Sequence, residues 1–476
     1  MAQKTVKKGF FFYFGLFVLL LIAVFMCCLV VMMFNPGKTV LWMKYFTASE
    51  DISVTKASGE TINFDEIRSL SVKCGYADVV VECNKAYSKS GLHIINNAKG
   101  FAVAKGSKTF GYTVTKVGSQ LNLEITEPTG FLFFSKNIKV VLNSHENWVY
   151  GNNFKLTVDA DGDSDVYIGG SSLKNEKKVE VAALDVKTAK GDIVFRADTC
   201  DTTKLTGGVS AVTEKGTIKV GTTTATTDSS FKANSDVHFE TTSGKIRFGT
   251  INIGSNNMTI KNVKGAVVID SLTATNTSVT CKQGNFVFGN VFGKLDFSAG
   301  IDQIISPNII VDSIIGDFTL STTEAKVSPE ISIGAITGKI TVNADSGKLN
   351  VKEANGEVSI TSMGSLTENV TLGASNTSRI GIVNTKGAIT LGFKGAVSSD
   401  VELTNGSGKI TLNFTTAAHF HAVVTGDASV TLSIDKDEMD YTEGNVKDIV
   451  IGSTGSTGNV AITSDGKVSY NLVERV

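Results

Sequence analysis

Along most of the chain, apolar and polar residues alternate in short runs opened by glycine. The unit is Gly, any residue, apolar, any residue, apolar. It first stands at 191–195 and 216–220 and recurs from Gly244, Gly265, Gly284, Gly293 and Gly316. Further copies start at Gly338, Gly347, Gly356, Gly387, Gly408, Gly458 and Gly466, making fourteen. The residue between the two apolar positions is polar in ten copies, Lys219, Arg247, Asp296, Thr341 and Thr411 among them, and apolar in four, Val194, Val268, Val287 and Ala461. A period of two predicts a short strand with one buried face. Only 4 Pro occur in 476 residues, as strands that donate hydrogen bonds along both edges require.

Several spacings between successive glycine starts cluster near 20 residues and several near 9. That spacing predicts a coil of about 20 residues made of two strands, with glycine at corners that need positive φ. The fold class expected is all-β: a β-solenoid rod whose parallel strands pair from coil to coil at about 4.8 Å. From Ser53 to Val476 that makes on the order of 20 coils, roughly 100 Å of rod. A β-sandwich array is the rival, with longer strands and more even turn spacing. Residues 53–150 lack clean copies and read as irregular first coils or an N-terminal cap, residues 151–434 as the repeats, and residues 435–476 as C-terminal coils with an acidic cap that blocks end-to-end stacking.

Before the repeats, Phe10–Phe34 holds no charge. As a helix, 25 residues reach about 37 Å, enough for a hydrocarbon core of about 30 Å. The segment is long for a signal-peptide core, the Phe46-Thr47-Ala48 site lacks a small residue three before the cut, and Met26 before Cys27 does not suit a lipoprotein signal. The reading is an uncleaved signal anchor at residues 10–34, a cytoplasmic tail at 1–9, a linker at 35–52 and everything beyond outside a cell membrane. Lys4, Lys7 and Lys8 before the segment against Lys38 and Lys44 after it favour this orientation.

The order of motifs resembles a bacterial putative-adhesin family of β-strand repeat proteins of unknown function. The residues carrying it are 77–79, an Ala-Asp-Val strand; the Ile-x-Val-x-Leu strand at 138–142; and the Ser-Gly-Lys units starting at Ser243, Ser346 and Ser407. The resemblance covers most of 65–470. It departs where Asn143 stands in place of the family's Pro and where 163–166 reads Asp-Ser-Asp-Val. It implies a β-solenoid and a surface role, with membrane-anchored members beside envelope-stress signalling systems.

Charge and chemistry narrow the function further. Lys plus Arg number 45 and Asp plus Glu 46, so no surplus of positive charge exists for nucleic acid. Six cysteines are too few for a disulfide scaffold, and none has metal-ligand spacing; Cys74 and Cys83 are equally readable as a pair or as free thiols. The turn 159–165 holds four Asp at alternate positions but fails the EF-hand pattern at Ser164 and Gly170. His419 and His421 share one strand face without a third ligand, and the acids form no pair or triad. Six Asn-x-Ser/Thr sequons equal the chance number. The apolar run 131–134 reads as cap core or as a contact with the bilayer or a membrane protein.

No catalytic, cofactor-binding or metal-binding residue is therefore assigned, and no cofactor is expected. The function expected is a non-enzymatic, membrane-anchored surface binding, adhesin-like or envelope structural protein whose partners are the membrane and envelope glycan or a membrane protein. The alternatives are an accessory subunit of an envelope-stress sensor or transporter and, third, a polysaccharide-cleaving enzyme.

Overall fold

The computed structural model describes residues 10–34, 44–47, 49–84, 90–102, 110–128, 131–135, 137–143, 153–170, 178–221, 230–300, 305–374, 376–398, 400–433, 441–445, 447–452 and 458–473. The chain is mostly β, with one α-helix, Phe10–Phe34, ahead of a large mixed sheet. The helix carries no acidic or basic residue. Its side chains are described in an unbroken run only over 13–28, and over the described residues no helix is long and apolar enough to cross a membrane.

Strands pair mostly with strands one coil away, in parallel and in register. Ala183–Thr188 lies between Lys155–Ala160 and Val209–Thr213. Ile193–Arg196 lies between Val166–Ile168 and Thr217–Gly221. Two parallel ladders thus run the length of the stack, each built of sixteen strands, one per coil. Sixteen coils span about 70 Å. The sheet is not a closed barrel, because its strands step along the stack and are joined only where long strands round the corners. Alternation does what the sequence pattern predicts: in Lys348–Ala354 the exposed and half-buried Lys348, Asn350 and Lys352 alternate with buried Leu349 and Val351.

The middle coils have a third side that the two-strand reading lacked. Ala266–Cys281 and Gly284–Ala299 each run through 16 residues, pairing first on one ladder, then at 271–273 with 290–292, then on the other ladder. Ile251, Leu272, Val291, Ile314 and Ile336 fill this side. Aromatic rings plug the interior: Phe239 stacks on Phe248 at 4.9 Å between ring centres, and Phe195 meets Phe231 edge-on at 5.0 Å.

Glycine opens the units for two reasons: Gly284, Gly293, Gly316, Gly338 and Gly347 take the positive φ expected, and others are demanded by close approach between coils. At Gly216, Gly244 and Gly265 φ is not positive. A Cβ there would overlap the carbonyl oxygen of the corresponding glycine one coil back, Gly191, Gly216 and Gly244 respectively. Only close backbone approach demands glycine at these corners. The residue three positions earlier locks each one. Thr213 Oγ1 accepts the Gly216 N–H at 3.0 Å and donates to the Gly191 carbonyl at 3.0 Å. Asn405 repeats this with Gly408 and Gly387, at 2.9 and 2.8 Å.

At both ends the order of coils departs from the order of the chain. Ser69–Cys74 and Asp78–Glu82, the first coil, are not outermost. Gln120–Thr126 and Ile138–Asn143 stack outside them, and the chain then returns to continue from their other side. At the far end Gly458–Ser464 and Lys467–Leu472 insert between the coil of Val401–Asn405 with Ile410–Phe414 and the coil of Phe420–Thr425 with Ser429–Ser433. The expected terminal cap at 435–476 is thus divided: its repeat-bearing part lies one coil in. Its acidic stretch falls partly outside the described residues.

The ends are also covered differently. Antiparallel Gly111–Val117 closes one outer strand of the first end, and antiparallel Gly91–Asn96, itself followed by Glu50–Val54, closes the other. At the far end antiparallel Asp448–Ile451 and then Tyr441–Asn445 cover Phe420–Thr425. Ser429–Ser433 has Lys467–Leu472 as its one strand partner among the described residues. A separate antiparallel sheet of Lys44–Thr47, Lys99–Ala102 and Phe131–Ser135 lies outside this arrangement. It contains the 131–134 run, whose side chains fall outside the described ones.

Candidate ligand-binding face

The outward positions of one ladder line a shallow groove. Asp185, Ser210, His238 and Thr259 occupy the same position in four successive coils. They line a shallow groove of about 420 Å³ with Lys155 and Asn257. Gly207 and Gly208 contribute no side chains at its edge, and Gly208 takes a left-handed turn at φ 98° that only glycine adopts without strain. Two residues further along the strands, Glu240 joins His238 at 3.3 Å and Lys261 at 2.6 Å. Burial raises the Glu240 carboxyl, but Lys261 and His238 outweigh it and hold the group below its usual range. The face therefore presents fixed charges of both signs and hydroxyls about 4.8 Å apart, a spacing suited to multiple hydrogen bonds along an extended polar ligand.

A column of carboxylates on the other ladder is consumed by the fold. Asp78 Oδ1 accepts the Asp165 N–H at 3.2 Å, Asp165 Oδ1 accepts the Asp192 N–H at 2.8 Å, and Asp192 Oδ1 accepts the Thr217 N–H at 2.8 Å. Tyr167 donates to Asp165 Oδ2 at 2.9 Å, beneath the Arg196 guanidinium 4.4 Å from its ring. The acidic turn 159–165 thus divides its residues, with Asp165 facing the ladder while Asp159, Asp161 and Asp163 are exposed. Among the described residues no group of three or more His, Cys, Asp or Glu is placed to hold a metal. His421 Nε2 lies 2.7 Å from Asp448 Oδ1, tying the covering strand down.

The cysteines outside the helix are free and buried, so Cys74 and Cys83 do not pair. Burial pushes the thiols of Cys74, Cys200 and Cys281 up to about 12, which leaves them protonated and unreactive at neutral pH. Two buried acids escaped the sequence reading. Glu127 Oε1 accepts three backbone N–H groups, of Gly75, Tyr76 and Ala77, at 2.7, 2.8 and 3.0 Å, clipping the outermost coil to the first one. Glu368 is fully buried in the core column between Leu349 and Ile389, with Asn384 Nδ2 at 2.9 Å from both its oxygens. Burial pushes its carboxyl up to about 8. Its signal in the sequence is a Glu at an apolar position of the period-two pattern.

No family model and no curated protein matches this chain. Among solved structures, it is similar to a putative adhesin from Bacteroides fragilis at 12% identity and a TM-score of 0.23, over 63% of this chain and 97% of that one. The fold described above rests on strand register, not on that likeness.

Proposed function

We propose that the chain is a membrane-anchored, extracytoplasmic β-solenoid that binds a polar surface ligand, envelope glycan foremost, without catalysis. The observation that carries this reading is the row Asp185, Ser210, His238 and Thr259, a repeated polar register on a rigid parallel sheet. Rigid elements hold such groups in place at little entropic cost. The anchor in this reading is the uncharged sequence segment 10–34, argued from its 25 residues against a hydrocarbon core of about 30 Å. The test is co-sedimentation of the detergent-solubilised full chain with isolated cell wall. Retention that falls about tenfold in the double variant His238→Ala, Lys261→Ala supports the reading; no retention at tens of micromolar overturns it.

A second reading, an accessory subunit of an envelope sensor or transporter, draws on the separate sheet of Lys44–Thr47, Lys99–Ala102 and Phe131–Ser135. Its first strand begins ten residues after the helix ends, and its register sets Tyr45 and Leu132 on either side of Phe101. Replacing 131–134 by serines would then release a co-purifying membrane protein while leaving the stack folded.

A further inference from the structure

The edge of the stack on which the unit glycines stand carries a row of cations. Gly216, Gly244, Gly265 and Gly284 lie one above another, each so close to the unit glycine before it that a Cβ would overlap that residue's carbonyl oxygen. Within two residues of these glycines stand Lys215, Lys245, Lys264 and Lys282, all exposed, one to a coil and about 5 Å apart along the stack. Arg247, also exposed, faces outward two residues along from Lys245. Over 212–219, 240–247, 261–268 and 280–287 the chain holds seven Lys and Arg against two acids, Glu214 and Glu240. The whole sequence is balanced, at 45 against 46, so this edge concentrates positive charge that the rest of the chain offsets.

Elsewhere in the stack, cations are answered by acids one coil away. Lys261 meets Glu240 at 2.6 Å, Lys339 meets Glu357 at 2.9 Å, Lys348 meets Glu330 at 3.0 Å and Arg379 meets Glu402 at 2.7 Å. Lys219 is bound to Asp192 at 2.7 Å, and Lys187 stands in register with Asp159 of the acidic turn. Among the described residues Lys215, Lys245, Arg247 and Lys282 have no such partner, and Glu240 is already engaged by Lys261 and His238. Like charges set opposite one another on neighbouring strands destabilise a sheet. Proteins break such local rules mainly at functional sites, and what would offset this break is an anion from outside the chain.

A single small ion would answer one lysine, whereas a row with one cation per coil calls for a chain that bears an anion at successive steps. We infer that this edge binds a polyanionic glycan, one carrying phosphate or carboxylate groups in series, laid along the stack. The lysines offer each anion a point charge, and Arg247 offers a two-pronged donor. No exposed aromatic side chain stands in the row to stack a base, which sets a nucleic-acid strand apart as a ligand. The inference rests on the proposed glycan-binding reading and gives that ligand its charge.

The test is the affinity of the detergent-solubilised full chain for two soluble probes, phosphomannan and polygalacturonate, with neutral mannan and poly(U) as comparisons. The chain is expected to bind one or both charged glycans in preference to neutral mannan, and to lose affinity about tenfold or more between about 50 and 200 mM salt. The triple variant Lys215→Ala, Lys245→Ala, Lys282→Ala raises Kd about tenfold, and the matching Lys→Arg triple keeps it. Lys339→Ala with Arg379→Ala, which removes cations that have acidic partners of their own, leaves Kd unchanged. The probe that binds more tightly tells phosphate from carboxylate. Binding to neither charged glycan, an alanine triple that binds as wild type does, or poly(U) held more tightly than both overturns the inference. Retention on cell wall, measured alongside, separates the causes. A wild type that pellets with wall yet binds neither probe leaves the glycan reading standing without the charged row, whereas one that binds a probe but not wall keeps the row and sinks the envelope-glycan reading. Hydrogen-exchange protection of 217–221 and 245–248 checks that the coils are intact in each variant.

Discussion

The two ends of the stack solve one problem in different ways. Each must terminate two parallel ladders, and each tucks the terminal coil of the chain one place in. The first end shuts both ladders with antiparallel strands, and Glu127 adds a clasp of three backbone N–H bonds. The far end covers one ladder with antiparallel Asp448–Ile451, and on the other the strand Ser429–Ser433 has Lys467–Leu472 as its one partner among the described residues. The asymmetry teaches that the stability of the far end rests on the inserted coil in place of a clasp.

The sharpest break of this comparison is deletion of 458–476. It removes the parallel partner of both Phe420–Thr425 and Ser429–Ser433, so amides across 420–433 should lose hydrogen-exchange protection while those of Ser69–Cys74 keep theirs. Next comes Tyr470→Ala. Tyr470 is the largest fully buried side chain of the inserted coil, and its loss should cost about 4 kcal/mol of local stability at the far end, read from exchange at 410–414.

Between the ends, Glu368 supplies a pH-dependent contrast. Its carboxyl titrates near 8 in the folded chain, against an ordinary value near 4.3 when unfolded. The folded state therefore holds an extra proton between these values. Stability is greatest below the lower one, falls by a few kcal/mol as pH rises towards 8, and is flat beyond. Thermal unfolding of Glu368→Gln should lose most of that slope; an unchanged slope would place its origin elsewhere.

Smaller effects separate clasp from plug. Glu127→Ala leaves three backbone donors without their carboxylate and should cost about 2 kcal/mol, seen as faster exchange at Gly75, Tyr76 and Ala77 with the far end unchanged. Tyr470→Phe should act in the other direction. The Tyr470 hydroxyl is buried with no hydrogen-bond partner among the described atoms, and removing it should stabilise the far end by about 1 kcal/mol.

Much of the body was legible in the sequence because burial on a parallel stack imposes a period of two, and the glycine units mark corners of the coils. Positive φ at the corners was legible and holds at five of those glycines, Gly284, Gly293, Gly316, Gly338 and Gly347; the other reason was not, because close approach between coils leaves no trace in any single unit. Its accomplice was visible: Thr188, Thr213, Thr241, Asn262, Asn384 and Asn405 each stand three residues before a unit glycine and accept its N–H. The third side escaped because 266–281 reads as one long strand whichever way it bends. The coil inversion at the far end showed only as the gap from Gly408 to Gly458, since spacing alone does not say whether a gap is a loop or an excursion that returns. The groove of Asp185, Ser210, His238 and Thr259 was invisible for a related reason: these residues lie far apart in the chain and meet only through register.

The inserted coil also sets an order on assembly. Neighbouring coils in the body pair over about 20 residues of chain, so each finished coil templates the next with a short closure. Val401–Asn405 instead pairs with Gly458–Ser464, more than 50 residues on. Closing that longer loop costs only about 1 kcal/mol more in chain entropy, too little to weaken the folded tip, but it interrupts the wave of local propagation that builds repeat proteins. The body should form first and halt at Phe414, with the tip following as a separate, slower kinetic phase. The far tip of the stack is therefore the last part of the molecule to form.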